Sequence, residues 1–252
     1  EGFNAGSSST SIELQLSFLC TMKNAIVTGS SKGLGKAIAE ALSEMGYRVW
    51  ISARKLEELN RTKKEIEAKS GNGVRIHSVD FSQGAQVKTY AEMLLGECET
   101  MDVLVNNAGI FIPDSLLEEG ALDQQMTINF QSAYDLTQAL LPRFVKQKAG
   151  NIFNVCSVVN RKPRVDAASY TISKFALWGY HKVLHQSMLE HGVKVTAFFP
   201  SSINTASWDW IDAPKEDFIQ PEDIASLVVN VLGMKRGTVP SEIDLSSINP
   251  EF

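Results

Sequence analysis

Cysteine is scarce in this chain. Its three cysteines, Cys20, Cys98 and Cys156, are too few and too scattered for a disulfide framework or a thiolate metal cluster. They fit a reducing compartment, so a cytoplasmic location is expected. Basic charge is not in excess either. Twenty-four Lys and Arg against 29 Asp and Glu give a formal net charge of −5. A dedicated nucleic-acid binder needs a basic face, so no nucleic-acid partner is expected. No apolar run approaches the roughly 18 residues of a membrane helix, so no membrane partner is expected. With 44% hydrophobic and 21% charged residues, the chain is neither disordered nor fibrous in composition. Its 252 residues allow one large domain or two small ones.

Residues 1–21 hold two acids, many serines and no Lys or Arg. A secretory signal needs a basic start, so this stretch does not read as one. It is expected to be a leader outside the fold, either added or without fixed structure. No linker rich in Pro, Gly or Ser divides residues 22–252, which are expected to form a single domain.

From residue 25 on, short β-branched runs alternate with helical spacing. Strands are predicted at 25–28, 48–52, 74–79, 103–105, 152–156, 193–199 and 239–245. Helices are predicted over about 34–45, 55–70, 86–96, 121–148 and 168–190, with a last one starting at Pro221. On the second helix Leu56, Leu59 and Ile66 mark the apolar side. This alternation implies right-handed βαβ crossovers, hence an α/β fold with a mostly parallel sheet and helices on both faces.

Between the first strand and first helix stands Thr28-Gly29-Ser30-Ser31-Lys32-Gly33-Leu34-Gly35. Glycines there permit a tight turn and close backbone approach to a pyrophosphate, which the helix N-terminus attracts. The spacing is GxxxGxG rather than GxGxxG, and an ordinary flexible connection is the competing reading. An NAD site usually carries an acid at the end of the second strand for the ribose 2′-hydroxyl. Here that end reads Ser52-Ala53-Arg54-Lys55. Arg54 and Lys32 are suited to a 2′-phosphate, so NADP(H) is favoured over NAD(H); the bland alternative is two solvated cations.

Tyr170 and Lys174 are i, i+4 on a predicted helix and share a face. A phenol near neutral pH is a poor base, and a neighbouring ammonium favours its phenolate. Ser157 follows the fifth strand, where parallel sheets face their ligands. Its hydroxyl could polarise a substrate carbonyl. Taken singly, each of these features is common on protein surfaces.

Taken in order, Thr28–Gly35, Asp80, Asn106-Asn107-Ala108-Gly109, Asn129, Ser157, Tyr170 and Lys174 resemble the short-chain dehydrogenase/reductase family over about residues 23–246. The resemblance implies a three-layer Rossmann-type fold with a seven-stranded sheet. It implies that Gly29, Ser31, Gly33 and Leu34 line the pyrophosphate, and that Asp80 meets the adenine amino group with Phe81 beside it. Asn107, Ala108 and Gly109 would pack near the adenosine ribose. Tyr170 would be the general acid/base, Lys174 would hold the nicotinamide ribose, and Ser157 would orient the carbonyl. Asn129 would bend its helix and hold a water relaying protons to Lys174. Ile203 and Thr205 would bind the carboxamide, although Ser201 stands where the family usually has glycine. The implied activity is hydride transfer between NADP(H) and a small-molecule carbonyl or alcohol, in a homodimer or homotetramer. A carrier-bound 3-oxoacyl substrate and a non-catalytic dinucleotide sensor are the alternatives; the chain also resembles pterin and diketone reductases of the family.

On the substrate side, Val159, Trp208, Trp210 and Ile211 are candidates for the pocket, and Arg161, Lys162 and Arg164 for its mouth. Cys156 reads as a core thiol. His181 and His185 are spaced for a metal, but no third ligand is evident and no metal is expected.

Overall fold

The computed structural model describes residues 22–118, 120–208 and 212–249. The leader expected at 1–21, with Cys20, lies outside them, as do Trp210 and Ile211.

Asn24–Thr28 (β1) is apolar and β-branched at its centre and wholly buried. It pairs with β2 (Arg48–Ala53) on one side and β4 (Val103–Asn106) on the other. The remaining strands are β3 (Val74–Ser78), β5 (Asn151–Val155), β6 (Lys194–Pro200) and β7 (Glu242–Leu245). All pairings are parallel, in the order β3-β2-β1-β4-β5-β6-β7. The order reverses between β1 and β4, which opens a crevice at their carboxyl ends.

Alternate residues of each strand feed opposite faces. Ala25 and Val27 pack with α1 (Gly33–Glu44), α2 (Leu56–Ser70) and α7 (Pro221–Leu232). Ile26 packs with α3 (Gly84–Glu97), α5 (Ser132–Gln147) and α6 (Ala168–Leu189). The sheet is therefore covered on both sides, as the alternation predicts. Leu56, assigned to the apolar side of α2, is instead 51% exposed, while Leu59 and Ile66 are buried.

Two elements differ from expectation. The helix predicted over 121–148 is broken into α4 (Leu122–Met126), a π turn (Thr127–Gln131) and α5. The π turn holds Asn129, whose side chain bonds outside its own helix. The last strand begins at Glu242 rather than 239, because Pro240 has no N–H to give a ladder.

Candidate active site

Thr28 joins the ends of β1 and β4. Its hydroxyl donates to Val105 O at 3.1 Å and accepts from the Asn107 and Ala108 N–H groups, both at 3.0 Å. Asn107 Nδ2 donates to the carbonyls of Thr28 and Gly29 at 2.9 and 3.0 Å. The glycine turn is thus moulded by the NNAG segment. Gly29 adopts φ 64°, and a Cβ there would lie 2.8 Å from Ala108 Cα. A Cβ on Gly35 would lie 2.5 Å from both Asn107 Nδ2 and Gly29 O. Lys32, the N-cap of α1, makes no side-chain capping bond, and a helix N-terminus of this kind suits an anionic ligand.

A cleft of about 380 Å³ runs from this turn to the end of β5. Gly29, Lys32, Gly33, Leu34, Asn107 and Gly109 line one part of it; Ser157, Tyr170, Lys174, Ile203 and Thr205 line the rest. The ammonium of Lys174 is buried and donates to Val155 O at 2.8 Å. It lies 5.6 Å from the Tyr170 ring centroid. The Tyr170 ring meets Phe111 edge-on at 5.1 Å. Ser157 caps the 3-10 turn Val158–Asn160: its N–H donates to Asn160 Oδ1 at 3.1 Å and its hydroxyl accepts from Val159 N at 3.4 Å. The hydroxyl proton remains available to a carbonyl.

Asn129 is buried behind this cleft. Its Oδ1 accepts from Ile110 N at 2.7 Å, and its Nδ2 donates to Ile110 O and Ser173 Oγ at 3.0 and 2.9 Å. Neither Ser31, Arg54, Asp80, Phe81 nor Ala108 lines the cleft itself. Asp80 Oδ1 accepts from both the N–H and the hydroxyl of Ser82, a strand-end cap. Those bonds, backbone first, with Arg54 adding, hold its carboxyl below the usual range. Phe81 sits in the core. Arg54 and Lys32 are exposed, and neither has an ion pair among the described residues. The Ser31 hydroxyl donates to Glu58 Oε2 at 3.1 Å, and Glu58 also pairs with Lys55 at 3.2 Å.

The substrate-side candidates are placed as follows. Val159 is buried in the 3-10 turn and does not line the cleft. Trp208 packs on Phe218, ring centroids 5.2 Å apart, and is also absent from its lining. Arg161 is engaged by Glu242 and, at 2.8 Å, by Asp244, with its guanidinium over Phe199. Arg164 pairs with Asp166. Cys156 is buried, and burial pushes its thiol up to about 12, which leaves it unreactive. His185 Nδ1 lies 2.8 Å from Val195 O, and His181 is wholly buried. Among the described residues no three His, Cys, Asp or Glu are grouped to hold a metal. Nor is any helix among them long and apolar enough to cross a membrane.

A family model described as short chain dehydrogenase matches residues 23–215. The chain belongs to this family. The diacetyl reductase [(S)-acetoin forming] of Staphylococcus epidermidis is 30% identical over 204 residues, covering 80% of this chain and 78% of the relative. The 3-oxoacyl-[acyl-carrier-protein] reductase of the same organism is 30% identical over 220 residues, covering 82% and 89%. A metagenomic short-chain oxidoreductase, solved in complex with NADP, aligns at 30% identity with a TM-score of 0.79, covering 90% of this chain and 97% of that one. This short-chain dehydrogenase is an oxidoreductase with a Rossmann-type sheet. Sequence reasoning passed over four residues beside its cleft: Glu58, Phe111, Asp114 and Gln125. None carries a motif, and only the tertiary contacts reveal them.

Proposed function

We propose that this short-chain dehydrogenase uses NADP(H) in preference to NAD(H) to interconvert a carbonyl and an alcohol on a small molecule. The observation carrying the reading is that Ser157, Tyr170 and Lys174 share one cleft with the glycine turn. The turn fits a dinucleotide, since side chains at Gly29 or Gly35 would collide with the backbone that shapes it. Gly29, Ser31, Gly33 and Leu34 would hold the pyrophosphate, Lys174 the nicotinamide ribose, and Ile203 and Thr205 the carboxamide. Asp80 and Phe81 would flank the adenine, and Asn107, Ala108 and Gly109 its ribose. The bound nicotinamide supplies or takes the hydride.

The protein's own residues handle the proton. Ser157 donates its hydroxyl to the carbonyl oxygen and polarises it. Tyr170 passes its phenolic proton to the same oxygen, and retrieves it in the oxidative direction. Lys174 places a positive charge beside the phenol where the phenolate forms. Asn129 ties α6 to the segment after β4. Among the described residues, Lys32 and Lys174 are the charged side chains lining the cleft, and Arg161 and Arg164 are held by acids. This favours a small carbonyl over a carrier-bound acyl group.

The test is NADPH consumption over diketones, quinones, pterins, 3-oxoacyl thioesters and sugars, beginning with diacetyl. Tyr170→Phe should lower kcat by roughly 10²–10⁴ on whichever carbonyl is reduced, with NADPH binding retained. A wild-type rate in that variant sinks the mechanism. Tight NADPH binding with no carbonyl reduced would favour a sensor.

A further inference from the structure

The active-site helix α6 has no cap from its own N-terminal segment. Ala167, at its N-cap, offers no side-chain acceptor, although the first N–H groups of a helix need partners. The partner comes from 55 residues upstream. Asp114 Oδ1 accepts from Ser169 N at 2.9 Å, and Asp114 O accepts from Ala168 N at 3.2 Å. The other carboxylate oxygen, Oδ2, accepts from Ala121 N at 3.0 Å. Ala121 is the N-cap of α4, which likewise lacks a local side-chain cap. One carboxylate therefore starts both helices: α4, which leads into the turn bearing Asn129, and α6, which bears Tyr170 and Lys174.

The same segment is stitched to α4 and to the π turn after it by two primary amides. Asn129 bonds both the N–H and the C=O of Ile110. Gln125, four residues earlier and fully buried, does the same to Ile112: Oε1 accepts from Ile112 N at 3.2 Å and Nε2 donates to Ile112 O at 3.0 Å. Phe111, between the two fastened residues, is the one that meets the Tyr170 ring. Gly120 completes the arrangement, because a Cβ there would lie 2.6 Å from Asp114 Oδ2.

We propose that Asp114 and Gln125 are positioning residues, which latch segment 110–114 between α4 and α6 and so set Tyr170 against Asn129 and Phe111. The proposal rests on Tyr170 being the acid/base. Neither residue lines the cleft or touches a reacting atom. Carboxylates accept two hydrogen bonds in fixed directions, and a primary amide both donates and accepts; no apolar side chain reproduces either pattern.

Two variants test it. Asp114→Ala removes both carboxylate bonds, to Ser169 N and Ala121 N, and leaves the backbone bond to Ala168 N. Hydrogen–deuterium exchange of the peptide spanning 168–174 should rise at least tenfold, while peptides in β1 and β4 exchange as in the wild type. Gln125→Glu is the sharper probe. A neutral carboxylic acid can still donate to Ile112 O, but a carboxylate cannot. With diacetyl and NADPH, or the best carbonyl of the screen, kcat of Gln125→Glu should be within threefold of wild type at pH 5. It should fall at least tenfold further than the wild type does by pH 8, with the NADPH KM within threefold. Gln125→Leu should show the loss at both pH values. A merely structural role would lower the melting temperature and leave kcat of the folded enzyme, and its pH profile, unchanged; that result overturns the proposal, as does unchanged exchange at 168–174 in Asp114→Ala. Unaltered kcat in Tyr170→Phe would instead refute the acid/base reading, and exchange would still decide the latch.

Discussion

Single atoms decide whether the cleft takes its cofactor. Gly35 is the clearest case, since a Cβ would stand 2.5 Å from Gly29 O, a backbone atom that cannot swing aside. Overpacking of that kind costs about 1–3 kcal/mol and here displaces the turn itself. Gly35→Ala should therefore weaken NADPH binding at least tenfold, measured by fluorescence titration; unchanged affinity would falsify the cradle. The proposed preference for NADP(H) rests on charge rather than shape. Arg54 is exposed and has no ion pair among the described residues, so its guanidinium is free to meet a 2′-phosphate in two-pronged fashion. A charge-assisted contact of that type contributes roughly 1.5–3 kcal/mol. Arg54→Ala should raise the KM for NADPH by about tenfold or more and leave that for NADH within twofold. Equal effects on both cofactors would refute the preference. Glu58, held by Ser31 and Lys55, is an acid beside the glycine turn. The sequence conceals it because it comes from α2 and not from the strand end.

Whole elements were legible where the residues themselves carry the pattern. Buried parallel strands read as short β-branched runs and α1 by its apolar spacing, because burial selects those residues directly, while α7 read by the proline at its first turn. The glycine turn and the Tyr170–Lys174 pair were legible too, since both depend on neighbours in sequence. The break in the helix after residue 121 was legible only through the family resemblance, which implied a bend at Asn129, and not through the residue pattern. It depends on Gln125 and Asn129 reaching Ile110 and Ile112, and long-range hydrogen bonds leave no period in the sequence. Arg161 looked like a free cation for the same reason: its acids lie 81 and 83 residues away on β7. One element face is left exposed among the described residues. Ile172, Phe175 and Val183 on α6, with Tyr134 on α5, are exposed apolar residues, and Val183 is 67% exposed. Their spacing along α6 puts Ile172, Phe175 and Val183 on one side. This face suits the homodimer or homotetramer that the family resemblance implies. Val183→Glu would place a charge in such an interface, so sedimentation velocity should show the wild type as a dimer or larger and the variant dissociating at tenfold higher concentration or more. A wild-type monomer, or an unaffected assembly, removes the pairing.

At the scale of the whole molecule, polar groups packed with α6 respond to acid in separate windows. His181 is buried against β5, with Asn154 Nδ2 3.4 Å from its Nδ1. Burial first, then the neighbouring His185, pushes its imidazole down to about 4. The fold therefore carries it neutral, while the unfolded chain protonates it near 6.5. Above pH 6.5 neither state binds the proton and the full stability is present. As pH falls from 6.5 toward 4, the unfolded state gains a proton that the folded state refuses, and stability declines. The loss reaches about 3 kcal/mol, at 1.36 kcal/mol for each pH unit of difference. Glu242 acts lower down. Burial raises its carboxyl, but hydrogen bonds from Lys182, Trp178 and Arg161 outweigh that and bring it to about 2. Its contribution is present above about 4.5 and is lost as pH falls toward 2. Acid unfolding should thus begin with the histidine and continue with the carboxylate. For a chain of this size, about 3 kcal/mol corresponds to a melting temperature lower by roughly 6–12 °C at pH 4 than at pH 6.5 from this group alone. His181→Leu should lower stability by a pH-independent amount, because Asn154 loses a partner, yet flatten the slope between pH 6.5 and 4. Calorimetry of both proteins across that range reads the difference directly. Parallel curves would mean that His181 is protonated in the fold, and that the core beneath α6 admits a charge.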